Sequence, residues 1–542
     1  MRAAREVGSP VGNADAVLTH GRVLRVNWIV AGVLLALALV VFCRTAWLSD
    51  DSYITFRTID NFVHGYGLRW NVDERVQAYT HPLWLAVMLV GRLVTGEVYW
   101  TALILGVACS MAALLLFIRA ARGRTGAMLF GVVAFLSSRA FVDFSSSGLE
   151  NAVSHLLLAG FLFEFWTGNA IGRTKRLAIW SGLILLNRLD LALLIGPAFV
   201  AEWVASREGR WTALVWLIGP LCAWEVFSVF YYGFPFPNTA YAKLHTGISV
   251  ADLLPQGLLY FSNSLHRDAA TLLVIAAGTA VTLARRRTRD APVLAGVGAY
   301  LAYVLWIGGD FMSGRFFAAP LLVSVWLLTV AIESPLPVWL PSLASALLLA
   351  VSLAGPYTAP FLSGRTYGLA DQMFDSSLED HGINDERRFY FQQTGMLRAN
   401  RRRGVPIDHP WFQAGRQAGL TGVAVVVRGN VGFYGYAAGP ATHIIDYYAL
   451  GDPLLARLPA KKKWRIGHFV RIMPVDYPAT VQSSRNQIAD PDLAAYYDHL
   501  HLIASGPLWN RNRLWAIARM NLGRDEPLVK RYVARLVAEG YE

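Results

Sequence analysis

The sequence is poor in charged residues and in cysteine. Only 16% of its 542 residues are charged and 55% are hydrophobic, whereas soluble chains carry about 25% charged residues. This deficit excludes an ordinary soluble protein and favours a membrane protein. The three cysteines all lie in apolar runs, which excludes a disulfide framework in the polar C-terminal region.

Motifs for nucleotides and metals are also missing. The chain has no P-loop, no GxGxxG fingerprint and no HExxH pair, so an ATP-driven transporter and a zinc protease lack their groups. We expect no cofactor and no metal ligands, and leave dependence on a free divalent metal open. The net charge of +12 does not predict nucleic acid as a partner. Much of the excess lies in short loops between apolar runs, a placement typical of membrane topology.

Several apolar runs are long enough to cross a bilayer as helices. The run 177–203 is too long for one crossing and is interrupted by Arg188 and Asp190, so we divide it into a hairpin of two spans closed by an ion pair. With this division the sequence predicts about eleven transmembrane helices. They lie at 28–48, 99–118, 127–137, 149–166, 177–203 (two), 211–232, 271–284, 291–307, 316–332 and 338–355.

Four basic loops fix the predicted orientation. The loops at 119–124, 172–176, 206–210 and 285–289 all fall on the side of the N-terminus, and positive charge marks the cytoplasmic side. The apolar stretch 82–94 is too short to span, so we expect it to form an interfacial or re-entrant helix outside. The lipid bilayer is thus a partner, in a multi-pass inner-membrane protein with a cytoplasmic N-terminus.

Three regions follow from this topology. We predict a cytoplasmic tail at 1–27, a transmembrane domain at 28–355 with an extracytoplasmic loop at 49–98, and an extracytoplasmic α/β domain at 356–542. In the last, the stretches 422–436 and 442–450 predict strands, and 491–504 and 526–540 predict helices, from their hydrophobic patterns.

The first candidate site directly follows the first predicted span. Asp50 and Asp51 stand there, with Arg57 seven residues later and on the same face if the segment is helical. One interpretation is a solvated helix end at the membrane surface. The other is a partly desolvated carboxylate beside a base, suited to deprotonating a sugar hydroxyl.

A second group of polar residues falls on the same predicted side. FPFPNTAYAK ends at Lys243, with His245 just beyond it, and WIGGDFMSGRFF contains Asp310 and Arg315. Each motif alone fits a tight turn or an interfacial anchor. Together they form a cationic rim around the aspartates that suits a lipid phosphate. Further polar residues of the tail we interpret as structural, with Asp446 capping a loop at a strand end.

The order of these motifs resembles a known class of enzymes. SDDSYITFR, GYGLRWN, YTHPLW, FPFPNTAYAK, WIGGDFMSGRFF and IIDYYALGDPLLARLP occur in sequence. The pattern is similar to the GT-C glycosyltransferases that use polyprenyl-phosphate sugars, in particular the terminal arabinofuranosyltransferases of mycobacterial arabinogalactan synthesis and the pilin arabinosyltransferases. The resemblance implies a GT-C fold and transfer of arabinofuranose from a polyprenyl-phosphate donor to cell-wall arabinan, a pilin or another envelope glycan.

The resemblance also implies roles for individual residues. We expect Asp51 to act as base or nucleophile and Asp50 to orient it; the stereochemical outcome stays open. Arg57, Lys243 and Arg315 are expected to bind the donor phosphate, with Tyr79, His81, His245 and Asp310 supporting the substrate site. The alternatives are a lipid-linked sugar flippase, whose charges should line a path through the bilayer, and a non-catalytic scaffold of envelope assembly.

Overall fold

The computed structural model describes residues 11–121, 123–206, 209–244, 246–332, 337, 339–367, 379–398 and 407–540, with side chains from residue 27 onward. The described chain is mostly helical. Sixteen helices occupy its first two thirds: α1 Val11–Thr45, α2 Asp50–Val63, α3 Pro82–Thr95, α4 Tyr99–Ala120, α5 Thr125–Ser137, α6 Arg139–Asp143, α7 Asn151–Thr167, α8 Arg173–Asn187, α9 Ala192–Ala205, α10 Arg210–Tyr231, α11 Asn238–Leu244, α12 Val250–Arg267, α13 Ala269–Arg285, α14 Ala291–Trp306, α15 Ala318–Thr329 and α16 Trp339–Ala354.

The remaining third adds seven helices and four short strands in the residues that the structure describes. They are β1 Glu379–Asp380, β2 Ile383–Asn384, α17 Glu386–Thr394, α18 Pro410–Leu420, β3 Val425–Arg428, α19 Gly432–Ala438, β4 His443–Asp446, α20 Tyr477–Ser483, α21 Pro491–Ser505, α22 Arg511–Asn521 and α23 Glu526–Ala538. β1 and β2 pair antiparallel, and β3 and β4 pair parallel.

The apolar helices make the chain a membrane protein. Among the described residues, three helical stretches are long and apolar enough to cross a bilayer, at Asn27–Thr45, Tyr99–Ala120 and Arg210–Tyr231. A fourth crossing is possible if α12 and α13, which meet at a bend of 108°, count as one span. Every predicted span coincides with a helix, but most of these helices are shorter than a full crossing. The number eleven therefore stays a prediction.

The predicted division of 177–203 is confirmed. α8 ends at Asn187, a 3-10 turn follows at Leu189–Leu191, and α9 begins at Ala192. The Arg188 Nε donates to Asp190 Oδ1 at 3.0 Å, and the Tyr300 hydroxyl donates to Asp190 Oδ2 at 3.0 Å. The ion pair closes the hairpin as expected, because two charges at this depth need partners.

The predicted short helix after the outer loop is also confirmed. α3 begins at Pro82, which is tolerated in the first turn because it lacks an N–H that the helix would leave unpaired. It ends at Thr95, and Gly96 caps it with a left-handed φ of 79°. The amphipathic α12, which carries Asp252 and several polar residues on one face, was not predicted, because no apolar run long enough for a span covers it.

One predicted strand is wrong. The stretch 422–436 was expected to be extended, and β3 does form at its start, but α19 occupies its end. α19 packs against α2 and α18, and its small residues permit close approach: a Cβ at Gly432 would collide with the backbone carbonyl of Asp50. Tertiary packing overrides the β propensity of this aromatic, glycine-rich segment.

The C-terminal third shares its core with the membrane part. Trp47, at the end of the first helix, stacks on Tyr390 of α17 with ring centroids 6.2 Å apart. Tyr53 of α2 meets Phe433 of α19 edge-to-face at 5.0 Å. These rings belong to one hydrophobic cluster that continues through α4, α7 and α15, so α2 is held between the membrane helices and the C-terminal segment.

Candidate active site

Asp50 is bound by backbone donors of a distant segment. Gly432 N–H donates to its Oδ2 at 3.1 Å and Phe433 N–H donates to its Oδ1 at 2.7 Å. Burial raises the pKa of Asp50 from 3.8 to about 7, although the two N–H groups act in the opposite direction. With both oxygens occupied, Asp50 positions α2 and is not the group that meets a substrate.

The carboxylate of Asp51 lacks the fixed hydrogen bonds that hold Asp50. In the described part of the chain its carboxylate makes no hydrogen bond or ion pair, since it points about 100° away from Asp50 around the helix. Burial raises the pKa of Asp51; the charges of Lys243 and Arg315 lower it, and those of Asp310 and Glu150 raise it again. An ionisable group with neighbouring charges and no fixed partner is what a reacting carboxylate requires.

Arg315 is held in place by acidic and amide groups. Its Nη2 donates to Glu150 Oε1 at 2.8 Å, its Nη1 lies 3.5 Å from Asp310 Oδ2, and its Nε donates to Asn151 Oδ1 at 3.3 Å. The preceding turn contains Gly309 at a φ of 76°. Asp310 also accepts from its neighbouring backbone N–H. The structure thus brings Asp310 and Arg315 together beside Asp51, as the motif predicted.

Glu150 lies at the centre of this network and was missed in the sequence. It is buried, and it approaches His81 Nδ1 at 3.5 Å and Arg188 Nη1 at 3.8 Å in addition to Arg315. One carboxylate therefore orients three basic side chains from three segments. Glu150 is the second residue of the predicted span 149–166, and a carboxylate inside an apolar run is the signal that could have found it.

Lys243 is the cation of the site that stays exposed. It lies in the last turn of α11, where a positive charge is favoured by the helix dipole. Its charge acts on Asp51 and on His468, and no hydrogen bond of its amine is found within the described chain. Lys243 thus has the free donors that binding of a phosphate needs. His245, predicted to support the substrate, lies outside the described residues.

Arg57 does not have the predicted environment. It is 2% exposed, and its donors are taken by the carbonyl oxygens of Trp70 at 2.8 Å, Gly435 at 2.7 Å and Thr442 at 2.8 Å. Its guanidinium also lies 4.9 Å from the Trp70 ring centroid. A donor phosphate cannot compete for groups that already satisfy buried backbone carbonyls. These contacts favour a structural role for Arg57, which joins α2, the loop after it and the C-terminal segment; the phosphate-binding role stays a prediction.

Tyr79 and His81 occupy the layer below the carboxylates. The Tyr79 hydroxyl is 2.8 Å from that of Tyr232. His81 Nε2 is 2.9 Å from Thr55 Oγ1 of α2. Burial lowers the pKa of His81, with the charge of Glu150 opposing. His81 therefore links α2 to the Glu150 network, whereas Tyr79 packs under it.

Glu386 is a second carboxylate that sequence reasoning missed. It is the first residue of α17 and is buried. Burial raises the pKa of Glu386 well above its ordinary value, and the nearby charges of Asp51 and Asp310 add to this, whereas Arg465 opposes it. No apolar run or known motif marked this position. The C-terminal segment thus supplies part of the site's wall.

In the C-terminal segment, Asp446 accepts hydrogen bonds from the backbone of the loop that follows it. Asp446 accepts from the N–H groups of Tyr448 at 2.9 Å, Leu450 at 2.7 Å and Gly451 at 3.1 Å, which confirms its predicted role in capping a loop.

Among the described residues, no group of three or more His, Cys, Asp or Glu could hold a metal ion. The expectation that the chain needs no cofactor stays a prediction.

The buried Asp50 predicts a pH dependence of stability. Its pKa is higher in the folded than in the unfolded chain, so its contribution is full below the unfolded pKa and is lost as pH rises through about 7. Between about pH 4 and about pH 8, the melting temperature should fall more for the wild type than for Asp50→Asn, which cannot ionise. Thermal unfolding in detergent measures this, and parallel pH profiles would contradict it.

Comparison with known proteins supports the resemblance. The chain is 28% identical to the terminal beta-(1->2)-arabinofuranosyltransferase of Mycobacterium tuberculosis, over 79% of this chain and 81% of that protein. It is 27% identical to the protein of the same name from Corynebacterium glutamicum, over 78% of this chain and 72% of that protein.

Two further comparisons carry less weight. No family model matches the chain. The crystal structure of ArnT from Cupriavidus metallidurans bound to undecaprenyl phosphate is similar at 16% identity and a TM-score of 0.37, covering 60% of this chain and 64% of that one; at this TM-score the likeness supports no argument. The two arabinofuranosyltransferases, similar over most of both chains, confirm the predicted resemblance to that class of glycosyltransferase.

Proposed function

We propose that the chain is a membrane glycosyltransferase that transfers arabinofuranose from a polyprenyl-phosphate donor to an extracytoplasmic glycan. The observation that carries this proposal is Asp51, a carboxylate without a fixed partner between Lys243 and the anchored Arg315. The resemblance to the two arabinofuranosyltransferases supports the sugar. Purified protein in lipid nanodiscs, given decaprenyl-phosphate arabinofuranose with a labelled sugar, should transfer the label to an arabinan oligosaccharide.

Lys243, Arg315 and Asp51 have different roles in the proposed reaction. As the bond between the sugar's anomeric carbon and the phosphate oxygen breaks, negative charge grows on the leaving phosphate. Lys243 offsets this charge with its free amine, and Arg315 adds the field of a guanidinium whose donors already contact Glu150, Asp310 and Asn151. The acceptor hydroxyl forms the new bond to the anomeric carbon, and its proton passes to Asp51. In a retaining scheme the Asp51 carboxylate first displaces the phosphate and forms an ester with the anomeric carbon. The acceptor hydroxyl then attacks this carbon, the bond to Asp51 breaks, and the hydroxyl proton passes to the released phosphate.

Glu150 and Asp310 hold the guanidinium of Arg315 in one orientation. Their carboxylates fix its guanidinium before a donor arrives, so binding does not have to order a flexible side chain. They also offset part of its charge, which keeps the empty site from being strongly cationic. Preorganised charge of this kind supplies a large share of the stabilisation of a transition state.

We further propose that this site faces outward from the inner membrane. The four basic loops support a cytoplasmic N-terminus, eleven crossings and an extracytoplasmic C-terminal domain. In intact cells, a membrane-impermeant thiol reagent should then label a cysteine introduced at exposed Leu420 but not one at Arg287. Labelling of residue 287 alone would contradict the orientation.

Substitution of the two aspartates should have different effects. Asp51→Asn removes the group that accepts the proton, so turnover should fall by at least about 100-fold while donor binding and folding persist. Asp50→Asn keeps an oxygen for one backbone N–H and should lose less. Single-turnover assays with equal amounts of folded protein measure both. Near wild-type turnover in Asp51→Asn would contradict the assignment.

Alanine substitutions of Lys243 and Arg57 should also have different effects. Lys243→Ala loses a charge contact with the donor phosphate, so the donor KM should rise about tenfold with little change in unfolding temperature. Arg57→Ala removes this donor from the buried Gly435 and Thr442 carbonyl oxygens, whereas Trp70 keeps a bond from Asn61, so it should lower the melting temperature instead. Donor titrations and thermal unfolding of the two variants, run side by side, distinguish the roles. A raised donor KM in a normally stable Arg57→Ala would restore the phosphate-binding interpretation.

A further inference from the structure

A cavity of about 700 Å³ lies outside the carboxylate site, between the outer end of α10 and the C-terminal helices. Its walls come from the loop after α10, from α11, from α21 and from the junction of α22 and α23. Four aromatic rings line it, together with an amide and several charged groups: Phe234, Phe236, Tyr241, Tyr496, Asn521, Arg457, Asp525, Glu526 and Lys530. Nothing in the reaction described above uses this space.

The cavity and the carboxylate site share one wall. α11 carries Lys243, whose charge acts on Asp51. The same helix contributes Ala240, Tyr241 and Leu244 to the lining of the cavity. A single helix of about 10 Å diameter therefore separates the two spaces. An extended molecule reaches both only by passing round α11.

The aromatic wall is built as a rigid platform. The guanidinium of Arg457 lies 4.1 Å from the ring centroid of Phe234 and 4.5 Å from that of Tyr241. The same side chain donates to Asn238 Oδ1 at 3.2 Å and to the Pro453 carbonyl oxygen at 2.7 Å. These contacts fix the rings before any ligand binds, whereas Phe236 remains 54% exposed at the rim.

The charges of the lining favour a neutral ligand. Lys530 pairs with Glu526 at 3.0 Å, and Asp525 pairs with Arg519 at 2.6 Å. With Arg457 and Lys530 against Asp525 and Glu526, the lining has no excess of either sign. A phosphate would find no uncompensated cationic cluster here, and a hydrocarbon chain would have to desolvate the ion pairs and the amide.

With a phosphate and a hydrocarbon chain disfavoured, the class of ligand that fits this lining is a sugar chain. A furanose offers C–H groups that pack on aromatic faces and hydroxyls that bond to carboxylate, amide and phenol groups, a combination of apolar walls and few polar groups typical of ligand pockets. We infer that this cavity is a subsite for the acceptor glycan, holding neutral sugar units several residues away from the hydroxyl that reacts at Asp51. The inference rests on the proposed function and adds where the acceptor chain binds.

The test compares a short and a long acceptor. Val529→Trp fills the cavity from α23, and Phe236→Ala removes the exposed ring of its rim. The KM for an arabinofuranosyl hexasaccharide should rise about tenfold in each, whereas the KM for a disaccharide and for the donor should not change. Val537→Trp, exposed on the same helix, and Trp509→Ala, exposed on the outer region, serve as matched controls.

The outcomes separate this inference from the proposed function. An unchanged hexasaccharide KM, or an equal rise for both acceptors and the donor, would overturn the subsite. If the wild type transfers sugar to neither acceptor, the proposed function fails, and saturation-transfer NMR of the hexasaccharide decides the subsite. Signals lost in Val529→Trp but kept in Val537→Trp support it. Signals that persist in Val529→Trp, or that polyprenyl phosphate displaces, overturn it.

Discussion

The architecture of the site depends on two hydrogen bonds to one carboxylate. Gly432 and Phe433 donate their backbone N–H groups to Asp50 across 382 and 383 positions of sequence. They dock α19 on α2 so closely that only glycine fits at the contact. Asp50 is fully engaged, whereas its neighbour Asp51, about 100° further round the helix, makes no hydrogen bond or ion pair within the described chain. The orientation of both carboxylates is thus set by a segment that contributes no charge itself.

Around Asp51 the basic groups His81, Arg188 and Arg315 are paired with carboxylates, whereas Asp51 itself has no ion-pair partner in the described chain. Glu150 takes contacts from His81, Arg188 and Arg315, and Asp310 takes a second donor of Arg315. Arg188 and Arg315, the two arginines next to Glu150, therefore each have a fixed acidic partner. Lys243, on a different helix, is left for an incoming anion. In the described chain this division leaves the Lys243 amine without an acidic partner, as the proposed binding of a phosphate requires.

Sequence reasoning found the residues whose role is local and missed those whose role depends on distant partners. The hairpin at Arg188 and the helix at Asp50 follow from patterns within a few residues. The contacts of Arg57 could not be predicted because its acceptors are backbone carbonyls that lie up to 385 positions away, and a carbonyl has no sequence signature. Glu386 was missed for the same reason, since only the fold brings α17 to Asp51. The strand expected at 432–436 became a helix through packing that local propensity does not contain.

The docking of α19 also has a consequence for how the protein is made. A ribosome completes α2 hundreds of residues before Gly432 exists, so the growing chain carries Asp50 into the membrane with no backbone donors to receive it. The carboxylate layer reaches its final geometry only after the C-terminal segment has been synthesised and has folded back onto α2. A chain that ends before Gly432 therefore lacks the two donors that hold Asp50, and α2 lacks the contact that fixes its carboxylates.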